Sequence, residues 1–253
     1  MFKHQGPSRS PRLNAVLAAY LAFVAGFVNS SGFVLVGSFT SHVTGNVGRV
    51  ANDVAAHDAG AAAGALTMIA AFFAGAFIAS MIVESDALGT VAYAYGAALA
   101  LEASLLVAFI FAFAGRGGGH LLHDMEGALL CGAMGMQNSL VTRLSGAVVR
   151  TTHLTGVITD LGIEGARWFR WWRGSASDAW GVRLAFGRAP SPRPAAGRIS
   201  LLGTIVGAFF VGAIAGAVAG VAARQLAMLV PAIGIAAAAG YAFATGRSGA
   251  SSR

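Results

Sequence analysis

Two histidines recur in one short pattern, His42-x-Thr44-Gly45 and His153-x-Thr155-Gly156, and each follows an asparagine, Asn29 or Asn138, by 13 and 15 residues respectively. Imidazole changes charge near neutral pH, while asparagine and threonine supply amide and hydroxyl groups, so the set could carry protons or hold a small polar substrate. A structural reading stands beside this one. A histidine with a threonine two residues on can cap a helix, and an asparagine can hydrogen-bond between helices. Glu102 is a third candidate, lying among Ala98, Leu99, Ala100, Leu101 and Leu105. A carboxyl group in such a stretch must find a partner, water or a proton, which makes it either a functional group or a neutral, hydrogen-bonded structural one.

The remaining reactive side chains point less strongly to chemistry. Asp160 and Glu164, one turn apart, could hold a cation, but Arg167 close by favours simple charge compensation. His120, His123, Asp124 and Glu126 have a spacing compatible with a metal, yet no thiolate or distant ligand pair completes it, so neither a metal nor any other cofactor is expected. The glycines at 115 and 117–119 lead into no Gly-Lys-Ser or Gly-Lys-Thr phosphate loop, and no serine or cysteine sits in a nucleophile motif. The lone Cys131 reads as inert packing and can close no intrachain disulfide. An enzyme is therefore not expected.

The elements that must carry these residues are membrane helices. Of 253 residues, 56% are hydrophobic and 11% charged, against about a quarter charged in a typical soluble domain. Segments 61–83 and 199–223 contain no Asp, Glu, Lys, Arg or His, and each exceeds the ~20 residues that cross ~30 Å of hydrocarbon. Six long apolar segments emerge, 13–37, 61–83, 87–114, 127–141, 199–223 and 226–245. The first follows Lys3, Arg9 and Arg12 as a signal peptide would, but it is too long for a cleaved apolar region and is kept as a span. With the N-terminus in the cytoplasm, six spans leave 14 of the 17 Lys and Arg residues inside.

Segments 41–57 and 151–167 also read as helices, but amphipathic ones. Val43, Val47, Val50 and Val54 form one stripe, Leu154, Ile158 and Leu161 another, while Asn46, Arg49, Asp53, Asp160 and Glu164 take other faces. Such helices can be buried in a bundle, re-entrant, or interfacial. If both crossed fully there would be eight spans with 13 basic residues inside, so charge counting leaves both topologies open.

A stretch rich in Arg, Ser, Gly and Pro, 174–197, has too few aliphatic residues for a core and reads as a mobile cytoplasmic loop. Just before it, Arg167-Trp168-Phe169-Arg170-Trp171-Trp172-Arg173 mixes aromatics with cations as headgroup-level segments do. The net charge of +7 is thus explained by topology, and no nucleic-acid partner is expected.

The two halves of the chain are related. Gly26-Phe27-Val28-Asn29-Ser30 resembles Gly135-Met136-Gln137-Asn138-Ser139, and the two His-x-Thr-Gly motifs follow in the same order at an offset of 111. Through Phe23-Val24-Ala25-Gly26-Phe27-Val28-Asn29 with Gly32-Phe33, Ser41-His42-Val43-Thr44-Gly45-Asn46, Gly135-Met136-Gln137-Asn138 and 149–156, the chain resembles the YoaK family of bacterial integral membrane proteins of unknown function. The resemblance covers residues 13–245 and implies a six-spanning, transporter-like architecture with no known substrate. Asn29 departs from the family pattern, which commonly has Asp there; the exchange removes an ion or proton site from the first half.

The expectation is therefore an all-α polytopic membrane helix bundle, a single membrane domain over 1–253, with six spans in two related three-span halves and extra amphipathic or re-entrant helices. The repeats cover about 13–115 and 126–245, with the cytoplasmic loop at about 168–198. Three spans per half would invert one half relative to the other, an arrangement common in secondary transporters. The function expected is secondary transport of a small molecule across the bacterial inner membrane, both termini cytoplasmic, with Asn29, His42, Thr44, Glu102, Asn138, His153 and Thr155 along the pathway. The alternative is a scaffold or sensor acting through the basic loop. Besides the lipid bilayer and the substrate, a partner helix is expected for Gly203, Gly207, Gly212, Gly216 and Gly220, spaced by four or five along one segment. That partner is either in the same chain or across a homodimer.

Overall fold

The computed structural model describes residues 11–114, 120–144, 154–180 and 196–250, and their regular structure is entirely helical. The helices are α1 (Pro11–Val36), α2 (Val43–Ala55), α3 (Ala59–Glu84), α4 (Val91–Ala114), α5 (His120–Leu144), α6 (Leu154–Trp180), α7 (Ala196–Ala223) and α8 (Leu229–Ala250). Each apolar segment becomes one long helix, and α2 falls inside the amphipathic segment 41–57. One boundary differs from expectation. Helix α6 runs on through Trp180, seven residues into the stretch read as loop, and 181–195 lie outside the described residues.

Local chemistry sets the breaks. Helix α1 ends before Gly37, whose φ of 70° favours a residue without Cβ. The Asp58 carboxylate accepts from the Ala61 N–H at 2.9 Å and caps α3, satisfying a donor that the first turn leaves open. Gly89, with φ 65°, stands between α3 and α4.

Among the described residues four stretches are long and apolar enough to cross a bilayer: Ala15–Val36, Ala59–Glu84, Val91–Ala112 and Ala196–Arg247. The last holds 52 residues, more than twice the ~20 that one crossing needs. It is interrupted by a 3-10 turn, Arg224–Met228, at whose start Arg224 takes φ 53°, so it comprises two helices, α7 and α8. Helix α5 carries Asp124, Glu126 and Arg143 toward its ends, which lowers its hydropathy, yet Leu130, Met134, Met136 and Leu140 bury its middle in the core. A helix enclosed by other helices does not need a fully apolar surface.

The helices pair through glycines. Helix α1 packs on α7, where a Cβ on Gly26 would strike the Phe209 carbonyl and one on Gly212 or Gly216 would strike the carbonyl of Phe23 or Phe27. Helix α3 packs on α5 in the same manner, with Gly135 against the Phe72 carbonyl and Gly75 against that of Gly132. Both pairs run parallel, since contacts advance along the two chains together; Ser80 meets Ser139 at 2.8 Å and Glu84 meets Arg143 at 2.6 Å further on. Helices α4 and α8 run antiparallel, Gly96 facing Phe243 and Tyr93 facing Gly246. Helix α2 lies on α3, and α6 on α7. Outward, Phe73, Phe77, Phe111, Val218, Val221 and Ile233 are exposed, an apolar surface suited to lipid.

Candidate functional site

Two groups of buried polar side chains interrupt this apolar interior. The first is at the end of α1 and the turn into α2. Asn29 is buried on α1, and its Oδ1 accepts from the Ser41 backbone N–H at 3.1 Å and from the Ser41 hydroxyl at 2.9 Å. The turn is thereby folded back onto the helix that precedes it. Thr40 follows, 1% exposed, its methyl and hydroxyl packed on Gly32 of α1 beside Leu130 of α5. The Arg49 guanidinium of α2 donates to the buried Ser38 hydroxyl and pairs with Asp53 at 3.8 Å. Ser31 lies 2.8 Å from the carbonyls of Phe27 and Gly216, tying α1 to α7.

Asn29→Ala leaves two Ser41 donors without their acceptor. It is expected to destabilise the protein by about 1–3 kcal/mol, read as a lower midpoint of thermal unfolding in detergent. An unchanged midpoint would show that the bonds to Ser41 contribute nothing.

His42 occupies the position before α2, but its side chain makes no cap hydrogen bond there; the half-buried ring lies 6.4 Å from that of Phe39. Thr44 is exposed. In the second half Asn138 is half-buried on α5, its carbonyl accepting from Thr142, and Thr155 is exposed in the first turn of α6. His153 lies outside the described residues. The helices that carry Thr44 and Thr155 have different partners, α2 resting on α3 and α6 on α7.

The second group centres on Glu102 in the middle of α4. It is 0% exposed, and neither carboxylate oxygen has a hydrogen-bond partner among the described residues. The hydrogen-bonded structural glutamate that the sequence left open thus has no visible partner there. Elsewhere in the interior Gln137 of α5 is wholly buried, its Nε2 donating to the Leu21 carbonyl of α1 at 2.8 Å, and the Tyr20 hydroxyl of α1 lies against Gly234 of α8 without a hydrogen-bond partner among the described residues. Sequence reasoning passed over Tyr20 and Gln137. Gln137 stands beside Asn138 inside the repeated motif, which was the available signal; Tyr20 in an apolar run offered none.

The acidic pair on α6 is compensated more fully than expected. Arg167 meets Glu164 at 2.8 Å, and Arg198 of α7 reaches Asp160 at 3.5 Å and Glu164 at 3.4 Å. Of the His120 to Glu126 set, Asp124 packs its carboxylate on Gly64 of α3, while the side chains of His120 and His123 lie outside those described.

Chemically, a buried carboxylate without a partner can take up a proton or a cation. Long apolar helices around an inward-facing polar group are the construction of an integral membrane protein. Over residues 17–241 the chain matches the model of a family described as "Protein of unknown function (DUF1275)", and it belongs to that family. No curated protein and no solved structure matches it.

Proposed function

We propose that the protein is a secondary transporter of a small molecule in the bacterial inner membrane, of the YoaK type, built as two inverted three-span halves. The observation that carries this reading is the exchange of partners between halves. Gly26 of α1 meets Phe209 and Ala213 of α7, and Gly135 of α5 meets Phe72 and Ala76 of α3. Moving α1 onto α5 by 109 residues and α3 onto α7 by 137 superimposes both contacts, and the same shifts relate Gly75 on Gly132 to Gly212 on Phe23. Matched halves that exchange helices fit an internal two-fold relation, and inverted repeats of this kind are common among secondary transporters.

Helix directions support six crossings, α1, α3, α4, α5, α7 and α8. In a chain of eight crossings α4 and α8 would both be even-numbered and parallel, whereas they pack antiparallel. Helix α2, with 13 residues, measures about 20 Å at 1.5 Å per residue, too short for ~30 Å of hydrocarbon. The pathway residues we assign are Asn29, His42, Thr44, Glu102, Asn138, His153 and Thr155, with Glu102 at the centre.

Topology is tested by single cysteines in a Cys131→Ser background. Ser191 and Ser85 should label from the cytoplasm and His120 from outside, with both termini cytoplasmic; labelling of Ser85 only from the periplasm would sink the inverted repeat. Transport is tested by uptake into proteoliposomes from a metabolite panel, with and without a proton gradient. The scaffold reading draws on α6, where Phe169 and Trp172 are exposed and Arg173 lies 5.6 Å above the Phe169 ring, a surface suited to headgroups or a partner. Absence of uptake for every compound, with loss of a partner on deleting 181–195, would favour it.

A further inference from the structure

Helix α6 leaves the bundle where α7 begins. Val157 is buried in the core and Leu154 and Leu161 pack against it, which holds the first turns of α6 among the other helices. Asp160 and Glu164 then meet Arg198 of α7, and Arg198 directly precedes the uncharged run 199–223. That arginine marks where the span enters hydrocarbon. Residues 167–173 follow within nine positions of Glu164, about 14 Å at most along the axis, so they lie in or directly beside the interfacial layer of the bilayer.

This part of α6 has two faces. Trp168 and Trp171 are half-buried and meet edge to face at 5.4 Å, while Phe169, Arg170, Trp172 and Arg173 are exposed. Arg173 lies 5.6 Å above the Phe169 ring, and that ring is 6.3 Å from Trp172, so charge and aromatic surface are continuous. The charges divide in the same way. Asp160 and Glu164 are matched by Arg167 and Arg198, two carboxylates against two guanidiniums. Arg170 and Arg173 have no carboxylate partner among the described residues, and the exposed face keeps their positive charge.

We propose that Phe169, Arg170, Trp172 and Arg173 form a binding site for an anionic phospholipid. The planar guanidinium forks suit the oxygens of a phosphate diester, and aromatic rings favour the glycerol level beneath it. A free phosphate would leave the rings without a contact. Lipid is also the anion that a helix fixed at the mouth of a span meets most often. The inference goes beyond transport and holds with or without it, since it requires only that α7 crosses the membrane.

The full chain is reconstituted in vesicles of equal parts phosphatidylcholine and phosphatidylglycerol, one lipid or the other carrying brominated acyl chains that quench tryptophan emission. Comparison with Trp172→Phe isolates the Trp172 signal. Brominated phosphatidylglycerol should quench that signal more than brominated phosphatidylcholine. Arg170→Gln and Arg173→Gln should each lower the preference by ~5-fold, the effect of one arginine at an anionic surface, and the double variant should abolish it. Replacing both by lysine keeps the charge and should keep most of the preference. Gel filtration in detergent confirms that these surface variants are folded. Inorganic phosphate should compete no better than chloride at equal ionic strength; specific competition by phosphate would assign the site to the free ion and overturn the proposal. It is also overturned by equal quenching from both lipids, or by a preference that survives in the double glutamine variant. Failure of either lipid to quench Trp172 would turn this face away from the membrane, as an acidic protein partner requires.

Discussion

Gly75→Leu and Gly216→Leu are each expected to prevent recovery of a monodisperse, folded protein, whereas Gly207→Leu leaves it intact. At Gly75 and Gly216 a side chain would enter the backbone of the facing helix, at the carbonyl of Gly132 or Phe27. A carbonyl engaged in its own helix cannot move aside as a side chain can, so the helices must separate and lose the contact that holds them without a hydrophobic driving force. Even alanine at these positions should cost about 1–3 kcal/mol. Gly207 shares the helix and the glycine spacing, but nothing lies within 4 Å of its would-be Cβ. Thermal unfolding and gel filtration in detergent distinguish the variants. Wild-type stability of Gly216→Leu would mean that α1 and α7 do not touch in this way.

The second large effect is on uptake. Glu102→Gln should fold and insert normally, because glutamine keeps the shape and hydrogen-bonding capacity of a protonated glutamate. Gradient-driven uptake by that variant should fall to the level of empty vesicles, since an amide cannot exchange a proton or neutralise a cation. Exchange of substrate between the two sides without a gradient should survive better, because it needs the pathway but no net ion movement. Normal gradient-driven uptake by the variant would remove Glu102 from the pathway.

Much of this could be read along the chain, and where reading failed the cause is physical. Glu102 stood out because a single carboxylate in an apolar run is costly, a property of its neighbours in sequence. Tyr20 did not, because a tyrosine in a membrane helix is unremarkable until the bundle encloses its hydroxyl, here against Gly234 of α8 and without a hydrogen-bond partner among the described residues. His42 and Thr44 were marked by their recurrence; the structure places them at the start of α2, His42 capping nothing and Thr44 exposed. Arg198 as partner to Asp160 and Glu164 was invisible, since α7 begins beyond the long connection, whereas Arg167, three residues from Glu164, was evident.

Hydropathy along the sequence determined by itself that the chain is a helical membrane protein, because burying a helix in hydrocarbon depends on its own side chains and on backbone groups satisfied within it. Local sequence likewise sets some of the breaks, Gly37 directly after the end of α1 and Asp58 at the start of α3. Which helix lies against which was decided only in three dimensions. Gly203 and Gly207 have the same four-residue spacing as Gly212, Gly216 and Gly220, yet only the latter three meet α1. Spacing records which residues share a face of a helix, while the direction in which that face looks is set by every other helix in the bundle. The bond from Gln137 of α5 to the Leu21 carbonyl of α1 has the same origin, since α1 and α5 are separate in sequence and meet only when the bundle closes.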